Sequence, residues 1–150
     1  MKKEMNNKGF SLVELIIVIA IMAILVVVLA PQYLKYVERS RNSTDLQNAT
    51  EMVTAIQTFA ADPEAGTKAF KKSATFTITV KDTTSISDTT EGSVAAALAN
   101  AAIDTSAISC KSKTKWTEYK IKGTVEADGN IKFEYENSDF ANAMIGKSGS

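Results

Sequence analysis

The feature that most constrains this chain is an apolar block: from Leu15 to Ala30 every side chain is Leu, Ile, Val, Met or Ala. A helix that is apolar all round has no water-facing side and must be buried in protein or in lipid. Counted from Phe10 at about 1.5 Å per residue, the segment makes roughly 32 Å of helix. That is close to the ~30 Å hydrocarbon core of a bilayer. The segment is therefore long enough to span a membrane. Glu14 interrupts the pattern. An isolated carboxylate at membrane depth costs on the order of 3 kcal/mol on insertion scales, so Glu14 needs a partner.

A short polar segment precedes the block. Lys2, Lys3 and Lys8 against Glu4 give it a net +2, and because the whole chain sums to zero the remainder is −2. Positive charge ahead of the span places the N-terminus in the cytoplasm and the rest outside, although Lys35, Arg39 and Arg41 just beyond the span pull the other way. The competing reading is a secretory signal peptide cut after Val28-Leu29-Ala30. Pro31 directly afterwards opposes that cut, the run is longer than a usual signal core, and Glu14 would have no role in one.

Lys8-Gly9-Phe10-Ser11-Leu12-Val13-Glu14 followed by an apolar helix resembles the N-terminus of type IV pilins and their relatives, the pseudopilins. The resemblance implies a leader, residues 1–9, removed by a prepilin peptidase that cuts after Gly9. It implies that Phe10 becomes the new N-terminus and is N-methylated by the same peptidase/methyltransferase. Glu14 is then the family's subunit-assembly glutamate, and Pro31 stands where many pilins carry a helix-kinking proline. Residues 10–30 would be the transmembrane and filament-core helix, and 31–150 the amphipathic half of that helix plus a globular pilin domain. Implied partners are further copies of the chain in a helical filament, the inner-membrane pilus assembly machinery, and the membrane that the precursor crosses once. The implied locations are the cell membrane for the precursor and the cell-surface pilus after assembly, serving adhesion or motility. The alternative within the resemblance is a pseudopilin of a type II secretion or DNA-uptake apparatus. Ala23 departs from the family's frequent Gly, and a lone Cys cannot form the C-terminal disulfide of many relatives. The resemblance covers about the first third of the chain.

The remainder is read on its own. About 120 residues beyond the leader and span suffice for one core. With no His and the single Cys110, most metal-site and nucleophile-base constellations are absent, so neither enzyme, metal nor cofactor is expected. Cys110 is read as a small buried apolar residue rather than a reactive thiol. Beyond Pro31, Leu34, Val37, Ala49, Met52, Val53, Ile56, Phe59 and Ala60 recur at helical intervals, which predicts the same helix turned amphipathic and ended by Asp62-Pro63. The polar stretch from Arg41 to Gln47 reads as a second bend.

Ala74 to Val80 alternates as a half-buried strand. Lys81 to Gly92 reads as a Thr, Ser and Asp loop, and Ser93 as the cap of an Ala-rich helix to about Ile103 that buries little area. Around Asp128-Gly129 the register follows from parity. A two-residue turn would mix charged and apolar side chains on one face. A three-residue loop, Ala127-Asp128-Gly129, instead pairs Val125 with Ile131, Ile121 with Tyr135, Lys122 with Glu134 and Lys120 with Glu136. Phe140, Ala143 and Met144 suggest a last short helix before a Gly/Ser tail. The fold class is thus α+β: a long N-terminal helix, membrane-spanning in its first half, packed through its second half on a small antiparallel sheet.

The near-neutral balance gives no basic body for nucleic acid. The one local candidate is Lys111, Lys113, Lys115, Lys120 and Lys122 with Trp116 and Tyr119, which would have to track a backbone and stack bases. The competing reading, favoured by Glu118, Glu134 and Glu136 nearby, is a solvated sheet edge protected by lysines.

Overall fold

The computed structural model describes residues 9–62, 70–89 and 92–146. Helix α1 runs from Leu12 to Ala60. It is followed by β1 (Thr75–Val80), β2 (Thr84–Asp88), α2 (Ser93–Asn100), a single 3-10 turn (Thr105–Ala107), β3 (Tyr119–Val125), β4 (Ile131–Glu136) and α3 (Ser138–Met144). The chain divides into two compact units, residues 1–37 and 38–150. The expected α+β class is what the chain adopts.

In the first unit α1 buries nothing. From Leu12 to Leu29 its large apolar side chains are 51–74% exposed. Pro31 lies inside α1 and does not end it. The one backbone hydrogen bond lost at proline is offset by the unbroken helical turns on either side.

In the second unit α1 presents Asp45, Ala49, Met52, Val53, Ala55, Ile56 and Phe59 to the core. They meet a four-stranded, wholly antiparallel sheet of order β2-β1-β3-β4. Phe76, Ile78 and Val80 of β1 and Tyr119, Ile121 and Val125 of β3 are buried, whereas Ile131, Phe133 and Tyr135 of β4 are half-buried against the same core. Phe140 of α3 closes one end, its ring stacked on Tyr119 at 4.3 Å and edge-on to Trp116 at 5.3 Å. Helix α1 ends at Ala60, before Asp62. Pro63 and the Gly/Ser tail beyond Gly146 lie outside the described residues.

The β3–β4 hairpin has the register that parity demands, with all four expected pairs opposite one another. Gly129 sits in the left-handed region at φ 91°, the conformation a three-residue loop requires. The charged face differs in one detail. Lys120 pairs with Glu136 at 3.1 Å, but Lys122 also reaches Glu136 diagonally, and Glu134 pairs along its own strand with Lys132 at 3.0 Å. Such exposed pairs are worth ~0–1 kcal/mol. On the inner face Gly123 lies between Phe76 and Phe133, opposite both, and their rings meet edge-on at 6.1 Å. A Cβ at this position would stand 2.0 Å from the Phe76 ring, so only glycine leaves room for the aromatic pair.

Several expectations are corrected. The supposed loop from Lys81 to Gly92 contains β2, five residues paired with β1, with Ile86 opposite Ile78. Its lone apolar side chain gave too weak an alternation to read, and the neighbouring ladder decides the conformation. Ser93 is not the cap of α2. That place is taken by Gly92 at φ 87°, without a side-chain cap bond. The helix stops at Asn100 because Ala102 turns left-handed and Ile103 N–H closes back on the Leu98 carbonyl at 2.9 Å. Nor is α2 marginal, since Val94, Ala97 and Leu98 are at most 1% exposed.

Candidate functional sites along α1

The sequence-derived site residues are strung along one helix rather than gathered into a pocket. Gly9 and Phe10 precede α1, outside any helix, and Phe10 is 94% exposed. Ser11 is the cap. Its backbone N–H donates to Glu14 Oε2 at 2.7 Å, and the Glu14 N–H donates back to Ser11 Oγ at 3.4 Å. This is a capping box: each side chain satisfies one of the amides that a helix start leaves without an intrahelical partner. The Glu14 carboxylate therefore already has a partner, one turn away on its own backbone. Pro31 lies seventeen residues further along α1. Met1 to Lys8 are outside the described residues. By length and composition α1 can cross a membrane, with a mean hydropathy of 3.4 in its most apolar window.

A second constellation went unread in the sequence. Glu38 and Asp45, two helical turns apart on α1, grip the loop that leads into β3. Asp45 is wholly buried. Its carboxylate accepts the N–H groups of Lys111 at 2.7 Å and Ser112 at 2.8 Å, the indole N–H of Trp116 at 2.9 Å, and the Cys110 thiol at 3.5 Å. Glu38 Oε1 accepts the Ser112 hydroxyl at 2.9 Å and the N–H groups of Lys113 at 2.7 Å and Thr114 at 2.9 Å. Two side chains thereby bind four consecutive amides. The clue lay in the spacing: Asp45 shares its stripe with Ala49, Met52, Ile56 and Phe59, so a carboxylate stands on the apolar face. The stretch from Arg41 to Gln47, expected to bend, stays helical; within it Asp45 holds the loop, while Ser43, Thr44 and Gln47 bond along α1 itself.

The Glu38 site makes a prediction about acid. Partial burial alone would raise its pKa, but the Lys113 and Thr114 N–H groups with the Ser112 and Thr114 hydroxyls outweigh it and hold the carboxyl at about 2. A depressed folded pKa contributes stability above the ordinary value of 4.5 and loses it as pH falls toward 2. The side chain is only 14% exposed, and the gap corresponds to roughly 3 kcal/mol. Thermal unfolding of the parent chain should therefore weaken steeply between pH 4.5 and 2. Glu38→Gln should start less stable at pH 7 and show a flatter decline over that window.

Cys110 is buried as expected, its thiol pushed up to about 12 by burial and by the neighbouring Asp45 carboxylate. A thiol so placed is inert. The lysine cluster does not assemble a base-stacking platform. Trp116 and Tyr119 are 3% and 1% exposed, closed into the core by Phe140, and Lys120 and Lys122 are engaged by Glu136. Among the described residues no group of His, Cys, Asp and Glu is arranged to hold a metal.

Residues 5–30 match the family described as the prokaryotic N-terminal methylation motif. Relatives include two type IV major fimbrial proteins, FimA, of Dichelobacter nodosus. One is 43% identical over 64 residues, covering 43% of this chain and 41% of that protein, and the other 46% identical over 61, covering 40% and 39%. The type IV major pilin protein PilA of Myxococcus xanthus (strain DK1622) is 36% identical over 59 residues, covering 39% of this chain and 27% of that protein. The matches thus span about two fifths or less of the relatives' own length, and no solved structure matches. With the methylation motif at its start and fimbrial proteins as its relatives over that part, the chain is similar to the type IV pilins through its N-terminal two fifths, and the long helix is laid on an antiparallel sheet.

Proposed function

We propose that the chain is a structural subunit of a type IV pilus, held in the membrane as a precursor and then polymerised into a surface filament for adhesion or motility. The observation that carries this is the bare apolar length of α1 from Leu12 to Leu29, interrupted by a single carboxylate in its first turn. Such a surface cannot stay in water, and one helix can serve first as a membrane anchor and later as the interface among subunits. In this reading the leader of residues 1–9 stays cytoplasmic, a prepilin peptidase cuts after Gly9, and Phe10 is N-methylated. Residues 10–30 enter the filament core, and Glu14 accepts the Phe10 ammonium of another subunit or its own. Pro31 kinks the helix between the core segment and the domain of residues 31–150. The assembly machinery of the inner membrane extracts the subunit. A pseudopilin would share the N-terminal segment; the relatives named as major fimbrial proteins favour the pilus.

The intact mass of the subunit in surface filaments tests the reading. A mass starting at Phe10 with one added methyl group is expected. A chain that retains Met1 to Gly9, or begins at Pro31, would overturn it.

A further inference from the structure

We infer that Ser11 is a positioning residue for the processing step: by capping α1 it keeps the Gly9–Phe10 peptide bond out of the helix and open to a peptidase. The inference rests on the reading that this bond is the one cut. Hydrolysis there adds water across the bond, leaving a carboxyl on Gly9 and an amine on Phe10, and requires the backbone at both residues to be reachable. The geometry provides this, since Gly9 and Phe10 are exposed and non-helical while α1 begins at Leu12, immediately after the reciprocal Ser11–Glu14 bonds.

What happens without the hydroxyl follows from the flanking sequence. Between Leu12 and Arg39 there is no Ser, Thr, Asn, Asp or Gly to start the helix later. A later start would also leave backbone N–H groups unpaired in lipid, which costs several kcal/mol each. Upstream the sequence offers Asn6 and Asn7, both strong cap formers. A helix that loses its stop at Ser11 is therefore driven to begin earlier, drawing Gly9 and Phe10 into its first turn. The open form then becomes a smaller fraction of the substrate, and the apparent affinity for the peptidase falls by that fraction.

The test is the initial rate at which a prepilin peptidase cleaves the full-length chain in membrane vesicles, for the parent, Ser11→Thr and Ser11→Val. Thr and Val share shape and branching and differ in the hydroxyl. Thr should process like the parent. Val should show kcat/KM lower by about fivefold, the equivalent of the ~1 kcal/mol a hydroxyl cap is worth, carried by a higher KM at unchanged kcat. Glu14→Gln, which can still complete a capping box, should process normally. Equal rates for Thr and Val would overturn the inference while leaving cleavage at Gly9 standing. A parent chain not cut after Gly9 would overturn the reading beneath it and this inference with it.

Discussion

Asp45→Ala is expected to unfold the loop from Cys110 to Trp116 and to lower the stability of the second unit by about 4 kcal/mol or more. The residue is wholly buried and accepts four donors. Removing it orphans two backbone amides and an indole N–H inside the protein, and each unmet buried donor costs roughly 1–3 kcal/mol. Small domains are stable by only about 5–15 kcal/mol, so a loss of this size is a large part of the whole. Thermal unfolding of the full chain in detergent should show a midpoint lower by roughly 15 °C or more. Trp116 supplies a local reading, because it is the only tryptophan and is 3% exposed. Its emission should shift to the red as the loop opens. Asp45→Asn is the stricter control, since it keeps the volume but points an amide NH2 at groups that are themselves donors. An Asp45→Ala chain with an unshifted midpoint and unchanged tryptophan emission would show that the loop is held by something else.

Glu14→Leu is expected to leave membrane insertion and cleavage after Gly9 largely intact and to abolish filaments. Removing the carboxylate makes the segment more apolar, so insertion should improve if it changes at all. On the proposed reading cleavage needs an open Gly9–Phe10 bond, and the Ser11 hydroxyl can still cap the helix without the glutamate. Assembly is different. In the full chain the Glu14 carboxylate is met by the Ser11 N–H; on the proposed reading, cleavage then creates a Phe10 ammonium that must leave the aqueous interface for a packed apolar core. An unpaired charge there is costly, whereas the pair need only roughly break even against its own desolvation. Glu14→Asp keeps the charge but shortens the reach by one methylene, and should give an intermediate filament yield. A normal yield from Glu14→Leu in cells lacking the parent subunit would sink the assembly role, and a glutamate needed only for anchoring predicts that result.

How much of this was legible depended on whether a residue's environment repeats. The β3–β4 hairpin could be placed to the residue because two independent faces, one apolar and one charged, had to agree on parity, and only one loop length satisfied both. The α1 stripe from Ala49 to Phe59 was legible for the same reason. β2 was not, because with Ser and Thr on either side of Ile86 it offers no alternation of its own and is a strand only by virtue of lying next to β1. Asp45 lies in the polar stretch that reads as a bend, and neither it nor Glu38 stands out in the sequence, since their partners include backbone amides some seventy positions away and amides leave no mark in a sequence. Ser11 is the opposite case: Ser-x-x-Glu ahead of an apolar run is a legible cap, but the charge of Glu14 drew the reading toward a partner in another subunit rather than one three residues back.

Four of the bonds that grip the loop are to main-chain N–H groups, and that has a consequence for how this surface can change over generations. Every residue type except proline offers the same N–H, so Lys111 and Lys113 can drift to other side chains, altering charge and shape outside, while Asp45 and Glu38 go on holding the same four amides. The positions held more tightly are those whose side chains join the grip, Cys110, Ser112, Thr114 and Trp116. The loop is thus fixed in place yet free in sequence at Lys111 and Lys113, a patch where the protein can vary what it shows without refolding what lies beneath.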